Sequence, residues 1–306
     1  MKLAKFRKKI KSFPNFEKPP EDIITPIKSW AKKHRILSAN ESDFKGNFSY
    51  ETRPYQEEML EAIGDRRAEE VVFMLASQLG KTIIMTTGLA WYLCEMSGTR
   101  AMYMLPTSEE AKKYSRIRFS AMQEEMPVLS NVISELRRGQ TLLQKMLKNG
   151  GWLNFVASGS SSQLSGMPSN VVFVDEYSRC STSAKSADGR LDEGDPLTLL
   201  RKRCEESIDK KFVIVGTPTV KGLCPTFDRF LLSDQRYYEV PCPKCKSTMF
   251  LDWEKKCIGK ERERGFKTIT MLTLNAAAAV KLLRKLSCRH IKTKLVVGSN
   301  GIQVVR

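Results

Sequence analysis

Uninterrupted apolar runs are the clearest pattern in this chain. Val71–Leu75, Val171–Val174 and Phe212–Val215 each place four or five apolar residues in succession. Such runs predict strands buried on both faces, as in a parallel sheet covered by helices. A further run, Arg100–Leu105, ends at Pro106. Helical spacing predicts helices over Ile83–Glu95 and Glu109–Met126, the second entered at Ser108. Tyr55 and Gln56 open another, with Met59, Leu60 and Ile63 on its apolar positions. Ile23–Leu37 reads as a helix with Ile27 and Trp30 on one face and Lys28, Lys32, Lys33 and Arg35 elsewhere. Leu142–Leu147 and Gly151–Val156 predict paired strands around the turn signal Lys148-Asn149-Gly150-Gly151. Ser158–Gly166 reads as a small-residue loop, and Asp195–Cys204 as a helix with a basic face. Strands alternating with helices predict an α/β fold of three layers around a mainly parallel sheet.

Two strand ends carry chemistry. After Val71–Leu75 a short loop leads through Gln78 to Gly80-Lys81-Thr82 and then into a helix. Strand, loop, Gly-Lys-Thr and helix is the order of a phosphate-binding loop. Gly80 lets backbone approach a polyphosphate, the helix N-terminus points amide groups at it, Lys81 adds charge and the Thr82 hydroxyl can ligate Mg²⁺. The full pattern wants Gly where this chain has Leu75. Val171–Val174 ends in Asp175-Glu176, where open α/β sheets place ligands. Asp175 would hold Mg²⁺ and Glu176 would activate a water. Phe212–Val215 runs into Gly216-Thr217-Pro218-Thr219, where a hydroxyl can sense a phosphate. Tyr55 and Gln56, about 25 residues before Lys81, suit adenine stacking and hydrogen bonding, as in nucleic-acid motors. Taken singly, each motif reads equally as an ordinary strand end or helix start. The phosphate loop and the acidic pair, with an α/β pattern between them, point together to an ATP-hydrolysing domain.

Charge adds a partner class. The 306 residues carry a net charge of +17, which suits a polyanion such as nucleic acid. The excess is uneven: residues 255–306 hold thirteen Lys/Arg against Glu261 and Glu263. No apolar run reaches membrane-spanning length and no signal peptide opens the chain, so a reducing cytoplasm is expected. Cys242-Pro243-Lys244-Cys245 is half of a zinc ligand set. Zinc takes four ligands, and no second Cys-x₂-Cys follows, which argues against a closed site.

These segments resemble the large subunit of tailed-bacteriophage terminases of the lambda type. The resemblance runs from about Tyr50 to Trp253. It rests on RPYQEEML (53–60), ASQLGKT (76–82), VVFVDEYSR (171–179), EGDPLTLLRKR (193–203), VGTPTVKG (215–222) and SDQRYYEVPCPKC (233–245). It implies an ATP-driven DNA-packaging motor with a RecA-like P-loop core of the ASCE type. Adenine contacts would fall on Tyr55 and Gln56, the phosphate loop on Gln78–Thr82, the Mg²⁺ aspartate on Asp175, the catalytic glutamate on Glu176 and the coupling hydroxyl on Thr217. The implied partners are double-stranded DNA, a small terminase subunit, the portal of a procapsid and further copies of the chain, in the bacterial host cytoplasm.

The resemblance divides the chain into a basic arm (1–44), an ATPase domain (45–240) and a segment (241–306) that starts like a zinc ribbon and ends as a basic tail. Two departures are expected to matter. Relatives carry Arg or Lys early in the phosphate loop, where this chain has Leu75, Ala76 and Ser77. The nuclease domain of the family is expected to be absent, and residues 255–306 read as out-of-frame sequence in a decayed prophage gene. The alternative for the tail is a natural DNA-binding extension. The alternative for the whole chain is an inactive remnant that retains only DNA or small-subunit binding.

Overall fold

A computed structural model describes residues 24–241, apart from 40, 43–44, 52, 136–139, 190–191 and 221, together with the short strand segments 248–249, 296–298 and 301–303. Helix α1 (Ile27–His34) leads into a two-stranded pair, β1 (Ile36–Leu37) and β2 (Gly46–Asn47), then α2 (Tyr55–Gly64). The main sheet begins with β3 (Glu70–Met74), followed by α3 (Lys81–Glu95) and β4 (Arg100–Leu105). Next come α4 (Ser108–Lys113), a π-helical stretch (Tyr114–Phe119), α5 (Ser120–Glu125) and α6 (Pro127–Val132). The hairpin strands are β5 (Gln144–Met146) and β6 (Trp152–Ala157), and α7 (Ser161–Ser165) occupies the small-residue loop. Strand β7 (Val171–Val174) is followed by a 3₁₀ turn (Tyr177–Arg179) and the small pair β8 (Ala184–Lys185) and β9 (Asp192–Gly194). Helix α8 (Pro196–Arg203), β10 (Lys211–Gly216) and α9 (Pro225–Leu231) complete the body.

The six-stranded sheet has the order β3-β10-β7-β4-β6-β5. The first five strands are parallel, and β5 runs antiparallel to β6 at the edge. Strand β10 lies between β3 and β7, so the ends carrying Thr217, Gly80-Lys81 and Asp175-Glu176 share one edge of the sheet. Successive side chains point to opposite faces. Val71, Phe73, Tyr103, Phe155, Phe173, Val213 and Val215 join one core with α1, α2, α3 and α6. Val72, Met102, Met104, Val172, Val174, Phe212 and Ile214 join a second core with α7 and α8. The predicted three-layer α/β architecture is therefore present.

Local chemistry sets the helix starts. Thr107 caps α4 by accepting from Glu110 N, while Glu110 reaches back to the Thr107 hydroxyl at 3.1 Å. Asp195 caps α8 by accepting from Thr198 N at 2.8 Å, with Pro196 in the first position.

Two sequence expectations change near the N-terminus. The sequence groups Arg35 with the charged positions of a helix reaching Leu37. The helix ends at His34, and Arg35 is buried, paired to Glu41 at 2.5 Å and donating to Thr86 and Thr87 at 3.1 Å each. The proposed boundary at residue 44 also does not follow the packing. Ile27, Trp30, Ala31 and Leu37 lie in the same core as α3, and Trp91 Nε1 donates to Thr25 O at 2.8 Å. A run of apolar positions one turn apart buries α1, so the folded body includes it.

Candidate nucleotide site

The loop from Leu75 to Gly80 joins β3 to α3. Leu75 N donates to Gly216 O at 3.0 Å, which fixes the start of the loop to the end of β10. Gln78 is exposed with φ +61°, and Gly80 caps α3 with φ +77°. That φ is one a side chain adopts only with strain. Space also excludes one: a Cβ on Gly80 would lie 2.4 Å from Gln56 Nε2 and 2.8 Å from Arg53 Nη1.

Lys81, the first residue of α3, is buried. Its ammonium donates to Thr217 Oγ1 and stands 3.4 Å from Glu176 Oε1. Three residues singled out from distant motifs therefore meet at one nitrogen. Glu176 has φ +51°, a backbone state that costs on the order of 1–3 kcal/mol and persists only where its surroundings impose it. Its second oxygen, Oε2, is buried and has no hydrogen-bond partner among the described residues.

Asp175 is buried behind Glu176. Tyr103 donates its hydroxyl to Asp175 Oδ2 at 2.9 Å, and Glu176 N donates to Asp175 Oδ1 at 2.9 Å. Burial holds the Asp175 carboxyl above the usual range, opposed by the Tyr103 hydrogen bond. Tyr103 in turn stacks on Tyr114, in the π-helical stretch, with ring centroids 4.5 Å apart. Thr82, one residue after Lys81, is half-buried, and its carbonyl accepts from the Thr86 hydroxyl at 2.8 Å.

Tyr55 and Gln56 sit at the start of α2 against this loop. The Tyr55 ring is buried edge-on to Tyr238, centroids 5.8 Å apart, and its hydroxyl donates to Leu79 O at 3.0 Å. Burial pushes the phenol up to about 12, so it stays a donor. Tyr55 thus braces the Leu75–Gly80 loop. Gln56 is also buried, and its Nε2, like Glu176 Oε2, has no partner among the described residues, a state that is rare for buried polar groups. Cys242 and Cys245 lie outside the described residues, as does most of the basic tail.

Sequence reading missed two groups here. Arg53 carries no role in the sequence pattern, yet its guanidinium reaches Gly80. Tyr103 looked like one more apolar strand residue; only the β4–β7 pairing sets it beside Asp175.

A family model for the ATPase domain of phage terminase large subunit gpA matches residues 42–292. The chain belongs to this family. The match continues past Trp253, the end of the segments that carry the sequence resemblance. The large terminase subunit of Escherichia phage lambda is 24% identical over 232 residues, covering 74% of this chain. The chain spans 35% of that relative's length. Among solved structures, the HK97 bacteriophage large terminase aligns with a TM-score of 0.47 at 13% identity, over 62% of this chain and 37% of that one. The Thermus phage P74-26 large terminase ATPase domain aligns with a TM-score of 0.41 at 17% identity, over 61% and 74% of the two chains. Among the described residues, no helix of this terminase domain is long and apolar enough to cross a membrane.

Proposed function

We propose that the chain hydrolyses ATP as the motor domain of a DNA-packaging terminase. The observation that carries this reading is the meeting of Lys81, Thr217 and Glu176 beside Gly80 at the C-terminal edge of the parallel sheet. The Gly80 cradle and the N-terminus of the 15-residue helix α3 suit the β- and γ-phosphates. Lys81 would leave Glu176 for those phosphates and neutralise charge as it develops on them. Glu176, released from the lysine, would orient a water in line with the γ-phosphorus and take its proton. Thr217, now bonded to Lys81, would register the arrival and loss of the γ-phosphate. The unpartnered Gln56 amide would read the adenine edge, with Gln78 on the open side of the loop.

The donor set fits Mg²⁺. The Thr82 hydroxyl and Asp175 carboxylate would hold it. Mg²⁺ is commonly bound by one or two protein oxygens plus substrate phosphates, and no cluster of three or more acids, histidines or cysteines exists among the described residues. When bound, the ion supplies further neutralisation of phosphate charge. Arg53 stands where it could offset the absence of a basic residue at Leu75–Ser77.

Double-stranded DNA, a small terminase subunit and a portal are the partners this reading implies. The test is ATP hydrolysis by the purified chain, with and without double-stranded DNA, beside Lys81→Ala and Glu176→Gln. Turnover lost in both variants supports the motor. Folded protein with no turnover above these controls would overturn it and leave an inactive remnant that only binds DNA or the small subunit.

A further inference from the structure

The turn that follows Glu176 is bolted to a helix that no nucleotide motif includes. Ser178, in the 3₁₀ turn, and Thr226, in the first turn of α9, share a hydrogen bond of 2.6 Å between their hydroxyls. Thr226 is fully buried. The Cys224 thiol lies 3.6 Å from the same Ser178 hydroxyl and accepts from Thr219 N at 3.5 Å. The Arg229 guanidinium, one turn further along α9, also acts on the Tyr177 phenol and opposes the burial that pushes it up. Space has been cleared for the junction: a Cβ on Gly216 would lie 2.1 Å from Thr226 Oγ1 and 2.9 Å from Ser178 Oγ.

Glu176 needs such a support. Its left-handed backbone, φ +51°, must be imposed from outside. On its N-terminal side, Glu176 N is held by Asp175 Oδ1. On its C-terminal side, Arg179 N donates to Glu176 O at 2.7 Å and closes the turn that contains Ser178. That turn packs Tyr177 into the second core and is tied to α9 at Thr226. Helix α9 begins eight residues after Thr217, and the intervening segment includes the Thr219–Cys224 contact. The catalytic turn, the end of β10 and the start of α9 therefore meet at one point.

We propose that Ser178 and Thr226 are positioning residues: their hydroxyl pair sets Glu176 for attack on the γ-phosphate and links that setting to α9, so that the segment after Thr217 and the catalytic turn move as one. This rests on the ATPase reading. It goes beyond it by assigning α9 as the element through which the state of the nucleotide leaves the site.

The experiment compares the full chain with Thr226→Val, Thr226→Ser and Ser178→Ala. Steady-state ATP hydrolysis is measured beside the Lys81→Ala control, together with binding of a fluorescent non-hydrolysable ATP analogue. Thr226→Val keeps the shape and removes the hydroxyl. The expected result is a kcat lower by about tenfold to a hundredfold, the scale on which a misplaced catalytic group costs rate. KM and analogue affinity stay at the parent values, because Gly80, Lys81 and Gln56 are untouched. Thr226→Ser restores most of the rate, and Ser178→Ala, altering only a half-buried turn residue, reproduces the loss. Parent-like kcat in both Thr226→Val and Ser178→Ala overturns the proposal. A loss in Thr226→Val that Thr226→Ser does not rescue, or one accompanied by equal loss of analogue binding, marks a general packing defect and overturns it too. A silent parent overturns the ATPase reading itself, and is recognised by turnover equal to that of Lys81→Ala.

Discussion

Lys211 offers a stability test of how the sheet is joined to α2. It opens β10, is 3% exposed, and donates its ammonium to Ala62 O at 3.0 Å, Asp65 O at 3.0 Å and Ala68 O at 2.7 Å. These carbonyls lie at and just beyond the C-terminus of α2, where helix carbonyls lack partners and the dipole favours a cation. Lys211→Met keeps the apolar stem and removes the three donors. Asp65 O still accepts from Ala68 N, so the cost falls on the other two carbonyls. At about 1–3 kcal/mol for each buried group left unsatisfied, and less the cost of burying an ammonium, the variant should be less stable by about 2–4 kcal/mol at pH 7.

The pH dependence is sharper. Burial pushes the Lys211 ammonium down from 10.5 to about 8. The folded pKa is therefore below the unfolded one, and between the two the unfolded chain binds more protons. Stability contributed by the group rises with pH across that window. Parent and Lys211→Met should diverge by about 2 kcal/mol more at pH 9.5 than at pH 7. Urea unfolding of both proteins at the two values, followed by far-UV circular dichroism, measures it. A gap that narrows as pH rises would refute the reasoning, because it would mean the three carbonyls hold the ammonium charged more strongly than burial expels it.

Gly80→Ala should raise the Kd for ATP by at least about tenfold, since the left-handed backbone costs about 1–2 kcal/mol and the new methyl displaces Gln56 and Arg53; calorimetric titration with ATP checks it. Tyr103→Phe removes a donor from Asp175 Oδ2, so hydrolysis should need more Mg²⁺ for half-maximal rate while KM for ATP at saturating Mg²⁺ holds. Arg35→Met strands Glu41 in the interior and should cost about 3–5 kcal/mol of stability, read as a lower urea midpoint. Arg53→Ala should weaken ATP binding with little change in melting temperature, and an unchanged Kd would remove Arg53 from the site.

Apolar runs needed no tertiary information to be read as buried strands. Val71–Met74, Val171–Val174 and Phe212–Val215 all lie in the parallel sheet, because a strand covered on both faces has no polar positions to interrupt it. The spacing around Lys148–Gly151 likewise marked the β5–β6 hairpin, since a turn is a local feature. The Gly-Lys-Thr and Asp-Glu motifs could be named because their chemistry is carried by adjacent residues. What tertiary structure decided is adjacency across the sheet. Nothing along the chain says that β10 inserts between β3 and β7, yet this brings Thr217 to Lys81. Side chains that look alike in sequence also parted. Lys32 and Arg35 are both basic residues near one helix end, but only Arg35 finds Glu41, Thr86 and Thr87 around it and can be buried. Tyr55 and Gln56 form one adenine-contact pair in the sequence pattern, but the fold turns the Tyr55 hydroxyl to the loop backbone and leaves the Gln56 amide without a partner among the described residues. Ser178 and Thr226, 48 residues apart, meet because two strand ends open at the same edge. The desolvation and hydrogen bonding that assign these roles belong to neighbours in space, so composition and periodicity carry no trace of them.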